Sequence, residues 1–97
     1  MTLNERQRKH LRTLAHPRKP VVIIGRHGLT DNVLVEIHAA LDHHELVKVR
    51  VGVGDRELRD EAIGRILDAT GAELVQRIGF IATLFRRNPA KPVIELP

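Results

Sequence analysis

The chain has 97 residues, a formal net charge of +4, no Cys, Trp or Tyr, and two Phe. That length fits one domain with a modest core, burying about two-thirds of the unfolded surface; the missing cysteines exclude a disulfide framework and a thiolate metal site, and suit a reducing compartment. No stretch approaches the roughly 20 apolar residues of a membrane span, and the polar, basic residues 1–12 lack the apolar core of a signal peptide, so the expectation is a cytoplasmic protein with no membrane contact.

Charge is segregated along the chain. Residues 1–28 carry seven Lys/Arg against Glu5, net +6; residues 29–76 carry five against ten acids, net −5; residues 77–97 carry four against Glu95, net +3. Basic ends around an acidic middle fit one face for a polyanion and another solvated by mixed charge. Arg outnumbers Lys twelve to four, and the planar guanidinium fork suits phosphate and stacked bases better than general solvation requires.

In chain order, Thr2-x-x-Glu5 matches a capping box, and Leu3, Gln7, Leu11, Leu14 and Ala15 recur at helical spacing as far as Pro17, which predicts a helix over 3–15. Its other face holds Arg8, Lys9 and Arg12, read equally as phosphate ligands or as a solvated amphipathic face. The link His16-Pro17-Arg18-Lys19-Pro20 is extended beside its prolines, so Arg18 and Lys19 are expected on the side of the loop that follows.

Val21-Val22-Ile23-Ile24 reads as a strand buried on both faces. It stops at Gly25-Arg26-His27-Gly28, after which Thr30 has the side chain of a helix N-cap and Leu29 and Leu34 the places of a hydrophobic staple. Two glycines three apart let the backbone turn and let a second chain approach without a Cβ in the way. Arg26 adds a permanent charge and His27 a titratable donor. A loop of this type clamps a nucleic-acid backbone in KH modules; the same pattern serves elsewhere as a plain strand-to-helix connection.

A second helix is expected over 31–43, with Val33, Leu34, Ile37, Ala40 and Leu41 as its apolar stripe. Asp31 in its first turn complements the helix dipole and leaves the glycine loop to carry contact with an anion. Residues 45–51 alternate as a strand, parallel to the first through the helical crossover. Gly52-Val53-Gly54 is a turn into a third helix over 56–70, capped by Asp55, burying Leu58, Ala62, Ile63, Ile66 and Leu67, and closed by Gly71 at C′. The acids around Arg56, Arg59 and Arg65 predict a salt-bridged helix surface. Residues 72–78 and 81–86 are two strands of a hairpin around Gly79-Phe80, both phenylalanines are expected in the core or an interface, with an exposed Phe80 as a ring on which a base can stack as the alternative, and residues 88–97 form an extended tail.

The runs AHPRKPVVIIGRHGLT at 15–30, EIHAAL at 36–41 and HHELVKV at 43–49 closely resemble the CRM domain, named for chloroplast RNA splicing and ribosome maturation, and within it the small stand-alone bacterial YhbY-like members. The resemblance covers nearly the whole chain. It implies an α/β (α+β) domain of order α-β-α-β-α-β-β with a mixed four-stranded sheet, similar to the C-terminal domain of translation initiation factor three. It also implies an RNA-binding protein that associates with ribosomal RNA in precursors of the large ribosomal subunit. The chain departs from the family pattern at Phe80, Ile81 and Phe85, where a lysine, a threonine and a tyrosine are common.

These readings converge on RNA contact through Gly25, Arg26, His27 and Gly28, with Lys19, Arg18, Arg8, Lys9, Arg12 and Arg86 as further basic candidates, no cofactor, and a monomeric state. A sheet platform of stacking rings is poorly supplied, with two aromatic residues in all. Two rival functions remain: a domain that docks on ribosomal proteins, and an enzyme. His38, His43 and His44 invite a metal site, but spacings of five and six residues do not share a helix face, and favourable charge at a helix C-terminus explains them.

Overall fold

The computed structural model describes residues 2–97, in the order α1 (Glu5–Ala15), β1 (Val22–Ile24), α2 (Asp31–His44), β2 (Leu46–Val51), α3 (Arg56–Thr70), β3 (Glu73–Ile78) and β4 (Ile81–Phe85). The expected α+β order is met. The four strands form one mixed sheet, β1-β2-β4-β3. β1 runs parallel to β2, Val22 opposite Val49, and β4 is antiparallel to both β2 and β3.

Alternation along β2 divides the core in two. Val47, Val49 and Val51 join Val22, Ile24, Ala82 and Leu84 under Ile37 and Leu41 of α2 and Ile63 and Ile66 of α3. On the opposite face Leu46 and Phe85 pack with Leu11 and Ala15 of α1, Val75 and Ile94. Because α1 lies chiefly on β2 and β3, half of this second face stays open.

That opening corrects the reading of the first strand. β1 is an edge strand with one covered face: Val22 and Ile24 are buried, whereas Val21 and Ile23 are exposed, Ile23 at 65%. An unbroken apolar run looks the same whether helices cover one side or two.

Capping chemistry sets most helix ends. α1 begins two residues later than expected, because Asn4 rather than Thr2 is the cap: its Oδ1 accepts the Gln7 N–H at 2.8 Å, and Gln7 Oε1 in turn accepts the Asn4 N–H at 3.1 Å. Leu3 is thereby released to be buried, and its N–H donates to Glu73 Oε2 at 2.9 Å. Thr30 and Asp55 cap α2 and α3 as expected, and Gly71 closes α3 in the left-handed region. Leu58, expected in the core, is exposed beside the glycine loop. Phe85 is buried, but Phe80 stands 47% exposed in the hairpin turn.

The tail has no regular structure, yet it is anchored. Glu45, the C-cap of α2 with φ of 61°, is fully buried and accepts the N–H groups of Asn88, Val93 and Ile94 at 2.7–2.8 Å, with the Arg87 guanidinium at 3.2 Å. No helix among the described residues is long and apolar enough to cross a membrane.

Candidate nucleic-acid interface

The Gly25–Gly28 loop leaves the C-terminal end of β1 as a four-residue turn, closed by the Gly28 N–H donating to Gly25 O at 2.9 Å. Arg26 and His27 occupy the two central positions and are exposed at its tip. Thr30 then starts α2, its Oγ1 accepting the Val33 N–H at 3.2 Å. The turn is therefore held at both ends, by the sheet and by a capped helix.

The two glycines differ in what the fold asks of them. Gly28 has φ of +73°, where an L side chain is strained. Gly25 lies outside that region, and a Cβ built on it meets nothing within 4 Å. Nothing in the protein requires Gly25 to lack a side chain, so the open space above it is free for another molecule. Close approach of backbone inside the protein falls instead at Gly52, whose N–H donates to Ile24 O at 2.9 Å and whose Cβ would stand 3.1 Å from that oxygen. This contact ties the end of β2 to the base of the loop.

Between the loop and α3 lies a cleft of about 430 Å³. Its floor is apolar, from Leu29, Val53 and Leu58, and its rim carries Arg26, His27 and Arg65 with one acid, Glu61. Such a cleft offers cations to phosphates and an apolar floor to a sugar or base. Arg65 was not among the expected contacts. The helical charge pattern predicted pairs along α3, but Asp60 pairs with Arg77 of β3, and Arg59 donates to Gly54 O at 2.9 Å.

The structure brings together Gly25, Arg26, His27 and Gly28 and separates the other candidates from them. Arg18 and Lys19, expected beside the loop, sit at the opposite end of β1, lining a second cleft with Pro20, Val21, Lys48 and Val93; Arg18 also donates to Leu46 O at 3.0 Å. Arg8, Lys9 and Arg12 ride on α1, across the sheet from α2 and α3. Arg8 donates to Leu74 O at 2.6 Å, Arg12 pairs with Glu5 at 2.8 Å, and Lys9 is exposed. Arg86 follows the far end of β4 and turns inward, donating to Thr70 O at 2.8 Å, Asp42 Oδ1 at 2.8 Å and His38 Nδ1 at 3.0 Å. Since a guanidinium has no acceptor, His38 Nδ1 accepts and its proton sits on Nε2.

His43 and His44 lie edge to face at the end of α2, ring centroids 5.2 Å apart. No group of three or more His, Cys, Asp or Glu among the described residues is arranged to hold a metal ion.

The model of the CRS1/YhbY (CRM) domain matches residues 3–86. A Haemophilus influenzae protein named "RNA-binding protein" is 46% identical over 99% of this chain and 96% of its own length. A Bacillus subtilis relative, "Probable RNA-binding protein YqeI", is 32% identical over 98% of this chain and 99% of its own. The solution structure of the Staphylococcus aureus hypothetical protein SAV1595, described as a candidate RNA-binding protein, superposes with a TM-score of 0.80 at 34% identity, covering 99% of this chain and 100% of that one.

Proposed function

The chain belongs to the CRS1/YhbY (CRM) domain family, and from that premise we propose that it is an RNA-binding protein that grips a sugar-phosphate backbone at the Gly25–Gly28 loop. The observation that carries the reading is the empty space above Gly25, at a position where the fold itself has no need of glycine. Arg26 and His27 flank that space, and Arg65 faces them across the cleft. A backbone phosphate seated between Gly25 and Gly28 meets guanidinium and imidazole donors, and Leu29, Val53 and Leu58 offer an apolar surface beside it to a sugar or base.

The RNA is ribosomal, within precursors of the large subunit, and binding assists maturation of that subunit; this finer assignment rests on the likeness of residues 15–30 and 43–49 to the family pattern. It asks for no reaction and no cofactor, and the protein acts as a monomer in the cytoplasm. Arg18 and Lys19, at the other end of β1, then lengthen the electrostatic track and leave the grip to the loop.

The test is binding to large-subunit precursor RNA across a salt series. Log affinity falls linearly with log salt, at a slope near 0.7–0.9 per phosphate neutralised, with the lower value for single strands. Replacing Arg26→Asp together with His27→Asp abolishes binding and leaves unfolding free energy within about 1 kcal/mol, because exposed loop substitutions seldom cost more. Unchanged binding by the double variant overturns the assignment.

A further inference from the structure

A second feature shares the loop's end of the sheet. The hairpin turn Gly79-Phe80 joins β3 to β4, with Gly79 at φ of +57°, and the Phe80 carbonyl accepts the Val51 N–H at 2.7 Å. Val51 stands opposite Ile24, so turn and glycine loop are both fixed to the same end of β2. Sequence patterning placed Phe80 in the core or an interface, or, if exposed, as a ring for a base to stack on; the structure holds nearly half of it in solvent.

Two guanidinium groups lie over this ring, which still keeps nearly half of its surface in solvent. The Arg59 Cζ lies 4.6 Å from the Phe80 centroid and the Arg50 Cζ 5.8 Å from it, both over the ring. Beside the turn, Arg56, Arg59 and Arg77 line a polar cleft of about 330 Å³ with Gly79. Arg77 is met by Asp60 and Arg59 by a neutral carbonyl. On the open face of the sheet, register puts Ile23, Arg50, Ile81 and Ile78 in one row across the four strands, with Ile23 and Ile78 about two-thirds exposed.

Resting on the reading of the chain as an RNA-binding protein, we infer that this turn is a nucleotide subsite: the Arg56, Arg59 and Arg77 cleft takes a phosphate, and the Phe80 ring with its arginines stacks an unpaired base of the same strand. The two halves exclude simpler occupants. Arg77 is met by Asp60, but Arg56 and Arg59 have no carboxylate partner among the described residues, which leaves positive charge in the cleft for an anion. An acidic peptide uses the cleft and leaves the ring idle; an apolar partner covers the ring and strands the arginines. A duplex hides the faces of its bases, whereas an unpaired nucleotide offers a phosphate and a π-face together. The RNA gripped by the loop therefore runs on single-stranded past the β3–β4 turn.

The experiment compares binding of the full chain to an unstructured uridine-rich oligonucleotide of about 12 nucleotides, within the range of single-strand binding sites, and to a blunt RNA duplex of equal length. Wild type, Phe80→Ala, Phe80→Leu, Phe80→Trp and the Arg26→Asp, His27→Asp double variant are measured together, each with a thermal melt. Phe80→Ala and Phe80→Leu weaken single-strand binding about tenfold, the loss expected for one base stack, at an unchanged salt slope; duplex binding stays as in wild type, and Phe80→Trp restores the single-strand affinity. Equal losses on both RNAs, no loss on either, or restoration by leucine as full as by tryptophan overturns the subsite, the last pointing to a protein docked on an apolar patch. Large-subunit precursor RNA is bound in parallel: wild type that binds it but neither short RNA overturns the subsite, wild type that binds none of the three defeats the RNA reading itself, and wild type that binds, a loop variant that does not, and indifference to Phe80 defeat the subsite alone.

Discussion

The carboxylate of Glu45 accepts the backbone N–H of Ile94 at 2.8 Å, spanning 49 positions of sequence. Four partners converge on this one side chain: the N–H groups of Asn88, Val93 and Ile94 and the Arg87 guanidinium. Glu45 itself sits at φ of 61°, a conformation that costs a non-glycine residue about 1–2 kcal/mol. The fold tolerates that strain because the carboxylate organises a tail that otherwise lacks regular structure.

Burial pushes the Glu45 carboxyl up, but the N–H bonds from Asn88, Ile94 and Val93, and then the Arg87 charge, outweigh it and hold the group below the ordinary glutamate value of 4.5. A depressed carboxyl pKa means the folded state favours the ionised form, so its contribution is complete above that value and is lost as pH falls through the lower folded-state pKa. Glu45→Gln removes the charge and turns an amide donor toward N–H groups, costing about 3 kcal/mol at neutral pH, as for a broken buried charge pair. Urea unfolding of both proteins across a pH series checks this: the gap between them narrows as pH drops below 4.5. A gap that stays constant down to full protonation sinks the assignment.

Arg86→Ala is expected to lower stability by about 2 kcal/mol, since charge-assisted bonds to Thr70 O, Asp42 and His38 join the C-terminal turns of α2 and α3 to the end of β4. Arg86→Lys recovers little of this, because an ammonium cannot reach the same acceptors in one plane. The slope of log affinity against log salt stays that of wild type in both. A shallower slope returns Arg86 to the RNA-contacting set.

Gly52→Ala tests whether the loop depends on its footing. The added Cβ lies 3.1 Å from Ile24 O, a backbone atom that cannot swing aside, so the overlap costs about 1 kcal/mol. Hydrogen exchange quickens at the Gly52 and Gly28 amides before it does in α1, and RNA affinity falls with it. Protection that drops evenly over the chain contradicts a local footing.

Local chemistry made most of the framework legible. Thr30, Asp55 and Gly71 announce helix ends through bonds to neighbours three or four residues away, and the alternation of residues 46–51 assigns each β2 side chain to a face. What escaped is non-local. Glu45 reads as the first residue of the second strand, whereas it is the buried C-cap of α2, because its partners lie more than forty positions on. Val21 and Ile23 read as buried because a strand does not record how far α1 reaches. Arg56, Arg59 and Arg65 read as a charged helix face, for nothing in their spacing says that α3 begins beside the glycine loop and the β3–β4 turn.

The paired substitutions Gly25→Ala and Gly28→Ala separate a glycine kept for folding from one kept for a ligand. Gly28 needs the left-handed region, so alanine there costs about 1–2 kcal/mol. Any loss of RNA affinity then mixes distortion of the turn with lost contact. Gly25 carries no such demand: with open space around it and ordinary backbone geometry, alanine leaves thermal stability unchanged or raises it by about 0.4–1 kcal/mol through a less flexible unfolded chain. If a phosphodiester backbone rests against Gly25, the added methyl group stands where that backbone must pass, and RNA affinity falls although the protein is no less stable. Melting curves and salt-matched binding of the two variants decide the matter. A stable Gly25→Ala protein that binds RNA as tightly as wild type removes the loop from the interface.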